Sequence, residues 1–219
     1  MNLDQLNAAL IRPPFPKLSG NIYCIGRNYG EHVKELSNEI PKEPVVFLKA
    51  PSSLRPMHSD ALACSTESFH HEIEIVLLIK EHKAMGEKSD LSMIGAITLG
   101  LDLTRREVQE SLKKQGLPWT LSKSFAGAGV LHPFQSCPKD MTANIEFSLR
   151  INGELRQVGH SQDMLFDFRR ILNFLLKYQD LHPGDMIYTG TPAGVASFKK
   201  GDSFHFYSET LGIDAQGIL

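Results

Sequence analysis

The apolar run at residues 73–79, Ile-Glu-Ile-Val-Leu-Leu-Ile, entered through His70-His71-Glu72, constrains this chain more than any other stretch. It is too short for an ordinary helix and rich in aliphatic and β-branched residues, so it reads as a buried strand. Alternation along a strand puts Glu72 and Glu74 on one face and Ile73 and Ile75 on the other, with the two carboxylates about 6.6 Å apart. A solvated edge strand is the usual home of such a Glu-x-Glu pair. Here the unbroken run at 76–79 implies cover on both faces. Like charges in that setting need a cation or a shared proton. Asp102 closes a second apolar run, residues 94–101. Three carboxylates with no thiolate beside them point to a hard divalent cation, Mg²⁺ first, with Mn²⁺ or Ca²⁺ next. His70 shares the parity of Glu72 and Glu74, which suits a supporting role behind them.

The remainder of the chain narrows the class. At 219 residues it is long enough to bury a substantial core in one large domain. Pro13, Pro14 and Pro16 mark residues 1–20 as a lead-in to a single catalytic domain at 21–219. A net charge of −2 without a Lys/Arg stripe argues against nucleic acid as a partner. No apolar run approaches the roughly 20 residues of a membrane span. Cys24, Cys64 and Cys137 are scattered, and the N-terminus lacks the pattern of a secretory signal, so a cytoplasmic location is expected.

In chain order, residues 21–25 read as a strand that ends at Gly26. A turn then leads into a short helix with Asn28 as its N-cap. On that helix His32 and Glu35 are i,i+3 neighbours, so the carboxylate can orient the imidazole. Residues 45–49 return as a strand, and residues 50–69 read as a long loop. Thr104 and Glu107 fit a capping box, and Gly116 ends the helix that follows. Arg106 and Gln109 then lie one turn apart just behind Asp102, where an anion would meet both a helix N-terminus and a guanidinium. Asn152-Gly153 signals a hairpin, residues 163–178 an amphipathic helix, and residues 190–194 a backbone-rich loop. Many short strands with a few helices make the chain α+β, predominantly β.

These pieces resemble the fumarylacetoacetate hydrolase family, most closely its small single-domain acylpyruvase-like branch. The matching blocks are Gly26-Arg27-Asn28-Tyr29 with His32 and Glu35, Glu43-Pro44-Val45-Val46-Phe47-Leu48-Lys49, His70-His71-Glu72-Ile73-Glu74 and Leu101-Asp102-Leu103-Thr104. Val108-Gln109, Trp119-Thr120-Leu121-Ser122-Lys123-Ser124-Phe125, Asn152-Gly153-Glu154, Pro183-Gly184-Asp185 and Thr189-Gly190-Thr191-Pro192-Ala193-Gly194-Val195 follow in order. The resemblance implies a mixed β-sandwich roll, a homodimer, and Mg²⁺ or Mn²⁺ held by Glu72, Glu74 and Asp102. It places His32 and Glu35 on a lid helix. It sets Arg106, Gln109, Lys123 and Thr191 around the carboxylate and carbonyl end of the substrate, with Arg27 and Asn28 counted in the substrate-binding set. Three departures stand out. Glu107 replaces the usual Asp, Ala126-Gly127-Ala128-Gly129-Val130 replaces a segment that usually begins with Asp and ends with Pro, and the tail after Asp202 matches poorly, which puts the last strand in question.

The implied chemistry is cleavage of acylpyruvate-type 2,4-dioxo acids to pyruvate and a carboxylic acid. A 2-oxo acid would chelate the cation, which stabilises the enolate formed when a bond at C3 breaks. Lys123 would add positive potential there, and His32, oriented by Glu35, would deprotonate the attacking water. Decarboxylation of oxaloacetate, or a keto–enol proton shift at its C3, passes through the same enolate and is the alternative. A catalytically silent metal-binding protein on this fold is the alternative of another class. A glycosidase is disfavoured, because carboxylates on one strand face do not flank a bond from opposite sides.

Overall fold

The computed structural model describes residues 4–5, 20–35, 39–57 and 69–219. A seven-stranded mixed sheet is its backbone. Across that sheet run β2 (Val45–Lys49), β1 (Ile22–Gly26), β10 (Met186–Tyr188), β5 (Ile73–Ile79), β6 (Ile94–Asp102), β7 (Gly129–Leu131) and β3 (Leu54–Pro56). A second, antiparallel sheet contains β13 (Ile213–Ile218), β12 (Ser203–Ser208), β8 (Glu146–Ile151) and β9 (Glu154–His160), in that order. A short ribbon pairs β11 (Ser197–Phe198) with β4 (Phe69–His70). The α+β, predominantly β reading of the sequence holds.

Strand parity explains where the cores lie. Every residue of β5 is buried. Its odd positions, Ile73, Ile75, Leu77 and Ile79, join Tyr23, Ile25, Ile97, Leu99, Leu101 and Ile187 in the main core, together with Phe147, Phe204 and Phe206 from the second sheet. Its even positions, Val76 and Leu78, pack on the opposite face with Ile22, Cys24, Ala96, Met186 and Tyr188. Glu72, Glu74 and Asp102 share the face of those even positions, as does Lys49 through its pairing with Ile22. One face of the large sheet is therefore committed to the hydrophobic core. The other carries the ionisable groups at one end of a smaller apolar patch.

Several local expectations need correction. Helix α2 (Arg106–Lys114), which follows α1 (Gly30–Glu35), starts after Arg105, with no side-chain cap. The Thr104 hydroxyl instead donates to the Asp102 carbonyl, so the capping box is not made. That bond fixes the chain just past Asp102. Gly116, at φ +66°, does end the helix, and Leu117 N–H reaches back to the Leu112 carbonyl at 2.9 Å. The helix expected over 163–178 covers only Phe168–Leu175, because Asp167 caps it by accepting from Arg170 N–H at 2.7 Å. Part of the loop expected over 50–69 is strand: β3 pairs in parallel with β7, and residues 58–68 lie outside the described residues. The tail forms a well-paired last strand, β13, antiparallel to β12. Asn152 (φ +50°) and Gly153 (φ +81°) make the expected tight hairpin between β8 and β9.

Asn28 is not an N-cap either. Its buried amide donates to the carbonyls of Phe166 (3.0 Å) and Thr189 (2.8 Å) and accepts from Phe166 N–H (2.8 Å). It stitches the turn before α1 to two distant segments. Asn28→Ala is expected to cost at least roughly 1–3 kcal/mol, since buried backbone groups lose their partners. Urea unfolding measures this, and an unchanged midpoint would contradict it.

Candidate active site

The carboxylates predicted from the sequence meet at one end of the large sheet. Asp102 N–H donates to the Glu72 carbonyl at 2.8 Å, and Glu74 sits opposite Gly100 in the β5–β6 pairing. This register brings one carboxylate oxygen from each of Glu72, Glu74 and Asp102 within 4.8 Å of the others, all three residues buried. Gly190, two residues past the end of β10, closes the site. At φ +102°, with only 2.7 Å between a would-be Cβ and the Asn28 Cβ, it cannot carry a side chain without displacing that residue. Its N–H donates to Glu74 at 2.7 Å.

Buried cations surround two of the three. Lys123, at the end of α3 (Thr120–Lys123), donates to Glu72 and to Asp102, each at 2.7 Å. The Lys49 ammonium, with no exposed side chain, lies 2.6 Å from Asp102 Oδ1 and also donates to the Lys123 carbonyl. Arg106 donates to Glu72 and, at 2.6 Å, to Gln109 Oε1. Burial opposes the charge on Glu72, but Lys123 and then Arg106 outweigh it and hold its carboxyl well below the usual range. Burial likewise disfavours the Lys123 ammonium, while Asp102 and Glu72 raise its pKa on balance. Glu74 has the Gly190 N–H but no ion pair among the described residues. Burial, then the negative charges of Asp102 and Glu72, push its carboxyl well above the ordinary value.

An all-oxygen donor set in which one buried carboxylate lacks a positive partner fits a hard divalent cation. Among the described residues, one other group places metal-type donors together: His82, Asp180 and His182, all exposed on the surface. Its imidazoles suit a softer ion and it stands apart from the cleft.

The sign of the Glu74 shift carries a prediction. A carboxyl whose folded pKa is raised contributes stability that is present below its unfolded value and lost as pH rises through the folded value. The metal-free protein should therefore lose stability over that window, and a divalent cation should restore it. Cation binding should also release protons until Glu74 is ionised. Calorimetric titration with Mg²⁺ in buffers of different ionisation enthalpy reads the release directly. Buffer-independent heats inside that window would contradict the assignment.

His32 is buried, and its Nδ1 lies 3.0 Å from Glu35 Oε2. Glu35 Oε1 in turn accepts from Gly194 N–H at 3.1 Å. A carboxylate at Nδ1 holds the proton there and leaves Nε2 as the basic nitrogen. His32 lines, with the three carboxylates and Lys123, a cleft of about 440 Å³ whose other walls include Arg27, Phe47, Arg106, Gln109, Lys113, Trp119 and Thr191. Arg27 sits at φ +59°, a left-handed backbone that a non-glycine residue rarely adopts outside functional turns. Burial, then the charges of Arg27 and Arg106, lower the pKa of Lys113 on this wall, against a smaller opposing effect of Glu110.

Of the residues singled out from the sequence, the cleft gathers Arg27, His32, Glu72, Glu74, Asp102, Arg106, Gln109, Lys123 and Thr191, with Glu35 behind His32. Asn28 is left out, because its amide is spent on backbone groups. Sequence reasoning passed over Lys49, Phe47, Lys113 and Trp119. For Lys49 a signal existed: a lysine ending an apolar strand, in phase with Phe47, has either to reach solvent or to meet a buried acid. For Lys113 and Trp119 no local pattern marked them.

Fold and cleft together define a class. The family model described as Fumarylacetoacetate (FAA) hydrolase C-terminal matches residues 21–218, and the chain belongs to that family of divalent-metal-dependent enzymes. Among its relatives is the mitochondrial oxaloacetate tautomerase FAHD1 of Bos taurus. The two are 40% identical over 187 residues, covering 83% of this chain and 84% of the relative. A putative fumarylacetoacetate isomerase/hydrolase from Oleispira antarctica has a similar structure, with a TM-score of 0.82, 37% identity and 91% and 92% of the two chains covered. So does fumarylpyruvate hydrolase from Pseudomonas aeruginosa, solved with Mn²⁺ and pyruvate, at a TM-score of 0.80, 26% identity and 90% and 88% coverage. Among the described residues no helix is long and apolar enough to cross a membrane.

Proposed function

We propose that this chain is a Mg²⁺-dependent enzyme that interconverts the keto and enol forms of oxaloacetate, with cleavage of acylpyruvates to pyruvate as the second reading. The observation that carries the reading is the distribution of charge in the cleft. Buried carboxylates occupy its floor, and Arg27, Arg106 and Lys113 crowd one wall. Such a cleft suits a short dianion that presents one end to a cation and the other to the basic wall. The relatives named oxaloacetate tautomerase, at 40% identity, support oxaloacetate over the longer diketo acids. The His32–Glu35 pair favours the second reading, since activating a water requires an oriented base.

Glu72, Glu74 and Asp102 would hold the cation. When bound, it supplies a Lewis acid for the carboxylate and 2-oxo oxygen of the substrate. Arg27, Arg106 and Gln109 bind and orient the substrate's anionic groups. In the keto-to-enol direction His32 Nε2 takes the C3 proton and the 2-oxo oxygen takes up a proton in its place. In the reverse direction the enol hydroxyl loses its proton as the imidazolium delivers one to C3, and Glu35 steadies that imidazolium. Lys123, buried against Phe47 at 5.1 Å from the ring centroid, keeps a fixed positive charge beside the developing oxyanion. For an acylpyruvate the same nitrogen would deprotonate a water that attacks the C4 carbonyl. A location in the cytoplasm and a homodimeric state belong to the same proposal.

The test is a panel of oxaloacetate, fumarylpyruvate and acetylpyruvate with Mg²⁺ and with EDTA, following enol absorbance and pyruvate release. Metal-dependent ketonisation of oxaloacetate establishes the first reading, and pyruvate release from the diketo acids alone establishes the second. A preference for the dianions over acetylpyruvate is expected, and equal rates would remove the role of the basic wall. Metal binding with no turnover on the panel would favour the silent metal-binding alternative.

A further inference from the structure

Gln157 lies on β9, in the second sheet, yet its buried amide reaches the active site. Its Oε1 accepts from the backbone N–H of Ile73 (3.1 Å), the residue between Glu72 and Glu74. The same oxygen lies 2.9 Å from His71 Nδ1. Its Nε2 donates to the Pro192 carbonyl (2.9 Å) and to Thr191 Oγ1 (2.8 Å). The orientation of the amide is forced. A backbone N–H can only donate, and a carbonyl can only accept. Oxygen must therefore face Ile73, and nitrogen must face Pro192 and Thr191. His71, whose pKa burial lowers, must then carry its proton on Nδ1.

The same logic reaches Thr191. Its hydroxyl oxygen is already an acceptor for Gln157, so its hydrogen points elsewhere. Thr191 is buried, lines the cleft and has no other partner among the described residues. We propose that Gln157 is a positioning residue that fixes the Thr191 hydroxyl as a hydrogen-bond donor to the carboxylate of a bound 2-oxo acid. The assignment rests on the proposed function, because it needs an anionic substrate end at Thr191. It also gives β9 a role at the site, since one side chain ties the strand of the metal-binding carboxylates to the loop that meets the substrate.

The test uses calorimetric titration with Mn²⁺, and then with pyruvate on the Mn²⁺-loaded protein. Gln157→Glu retains an oxygen for Ile73. When protonated it can still donate to Thr191, but when ionised it offers only acceptors, so the hydroxyl hydrogen turns back to it. Pyruvate binding should therefore weaken about ten- to hundredfold, relative to wild type, as pH rises through the titration of the new acid, the usual worth of a hydrogen bond to a charged group. Mn²⁺ affinity should stay at the wild-type level. In a Thr191→Val background, which lacks the hydroxyl, Gln157→Glu should add no further pH-dependent loss. If Gln157→Glu fails to fold, Gln157→Met replaces it, and its loss should likewise vanish in the Thr191→Val background.

Wild-type affinity for pyruvate in either Gln157 variant would overturn the assignment. A parallel loss of Mn²⁺ affinity would also overturn it, by making Gln157 a support for the carboxylate strand alone. A wild-type protein that binds no pyruvate with Mn²⁺ would instead overturn the functional reading, and this assignment with it.

Discussion

Glu72→Ala and Glu74→Gln should both abolish divalent-cation binding and activity, yet move the stability of the metal-free protein in different directions. Glu72 answers two cations, the partly buried Arg106 and the buried Lys123. Removing it leaves the guanidinium without its carboxylate and the ammonium with Asp102 alone. Breaking a buried pair in this way costs roughly 3–5 kcal/mol, most of it the penalty of an uncompensated charge. Glu74 answers no cation. Its amide replacement can still accept from Gly190 N–H and removes a carboxyl whose ionised form burial and its neighbours disfavour. Metal-free stability should therefore be unchanged or higher. Thermal unfolding in EDTA, followed by titration with Mg²⁺, separates the two effects. Equal destabilisation of both variants in EDTA would sink the asymmetry, and full activity in EDTA would sink the metal requirement.

Glu35→Gln should lower turnover by roughly 10²–10⁴, the usual span for a positioned base. The amide can still face His32, so geometry survives while the charge that holds the proton on Nδ1 and steadies the imidazolium is lost. The loss should be larger for hydrolysis of a diketo acid than for oxaloacetate. Water is a poor acid that needs a strong base, whereas a C3 proton next to the 2-oxo group is already acidified by it. Because Glu35 lies outside the carboxylate cluster, Mg²⁺ affinity should hardly change. Unchanged turnover on every substrate would remove the dyad from the mechanism.

The sequence alone determined what depends on local spacing. Alternation along residues 73–79 put Glu72 and Glu74 on one face of a doubly covered strand, because side-chain direction in a strand has a period of two and needs no tertiary information. The i,i+3 spacing of His32 and Glu35 and the Asn152-Gly153 turn were legible for the same reason, as each is settled within a few residues. The order of the blocks then pointed to the family.

Where local rules competed with long-range partners, only the tertiary structure decided. Thr104 has the spacing of a helix cap, but its hydroxyl is taken by the Asp102 carbonyl, and the helix begins later. Asn28 looks like a cap, yet its partners lie 138 and 161 residues away. The counter-charges were equally hidden. Lys49, from a strand separated from Asp102 by three others, reaches that carboxylate only because the sheet curls. The different fates of Glu72 and Glu74 could not be read from a Glu-x-Glu motif either. Sequence puts both on the same face, but burial and the placement of distant cations decide which of them keeps its charge.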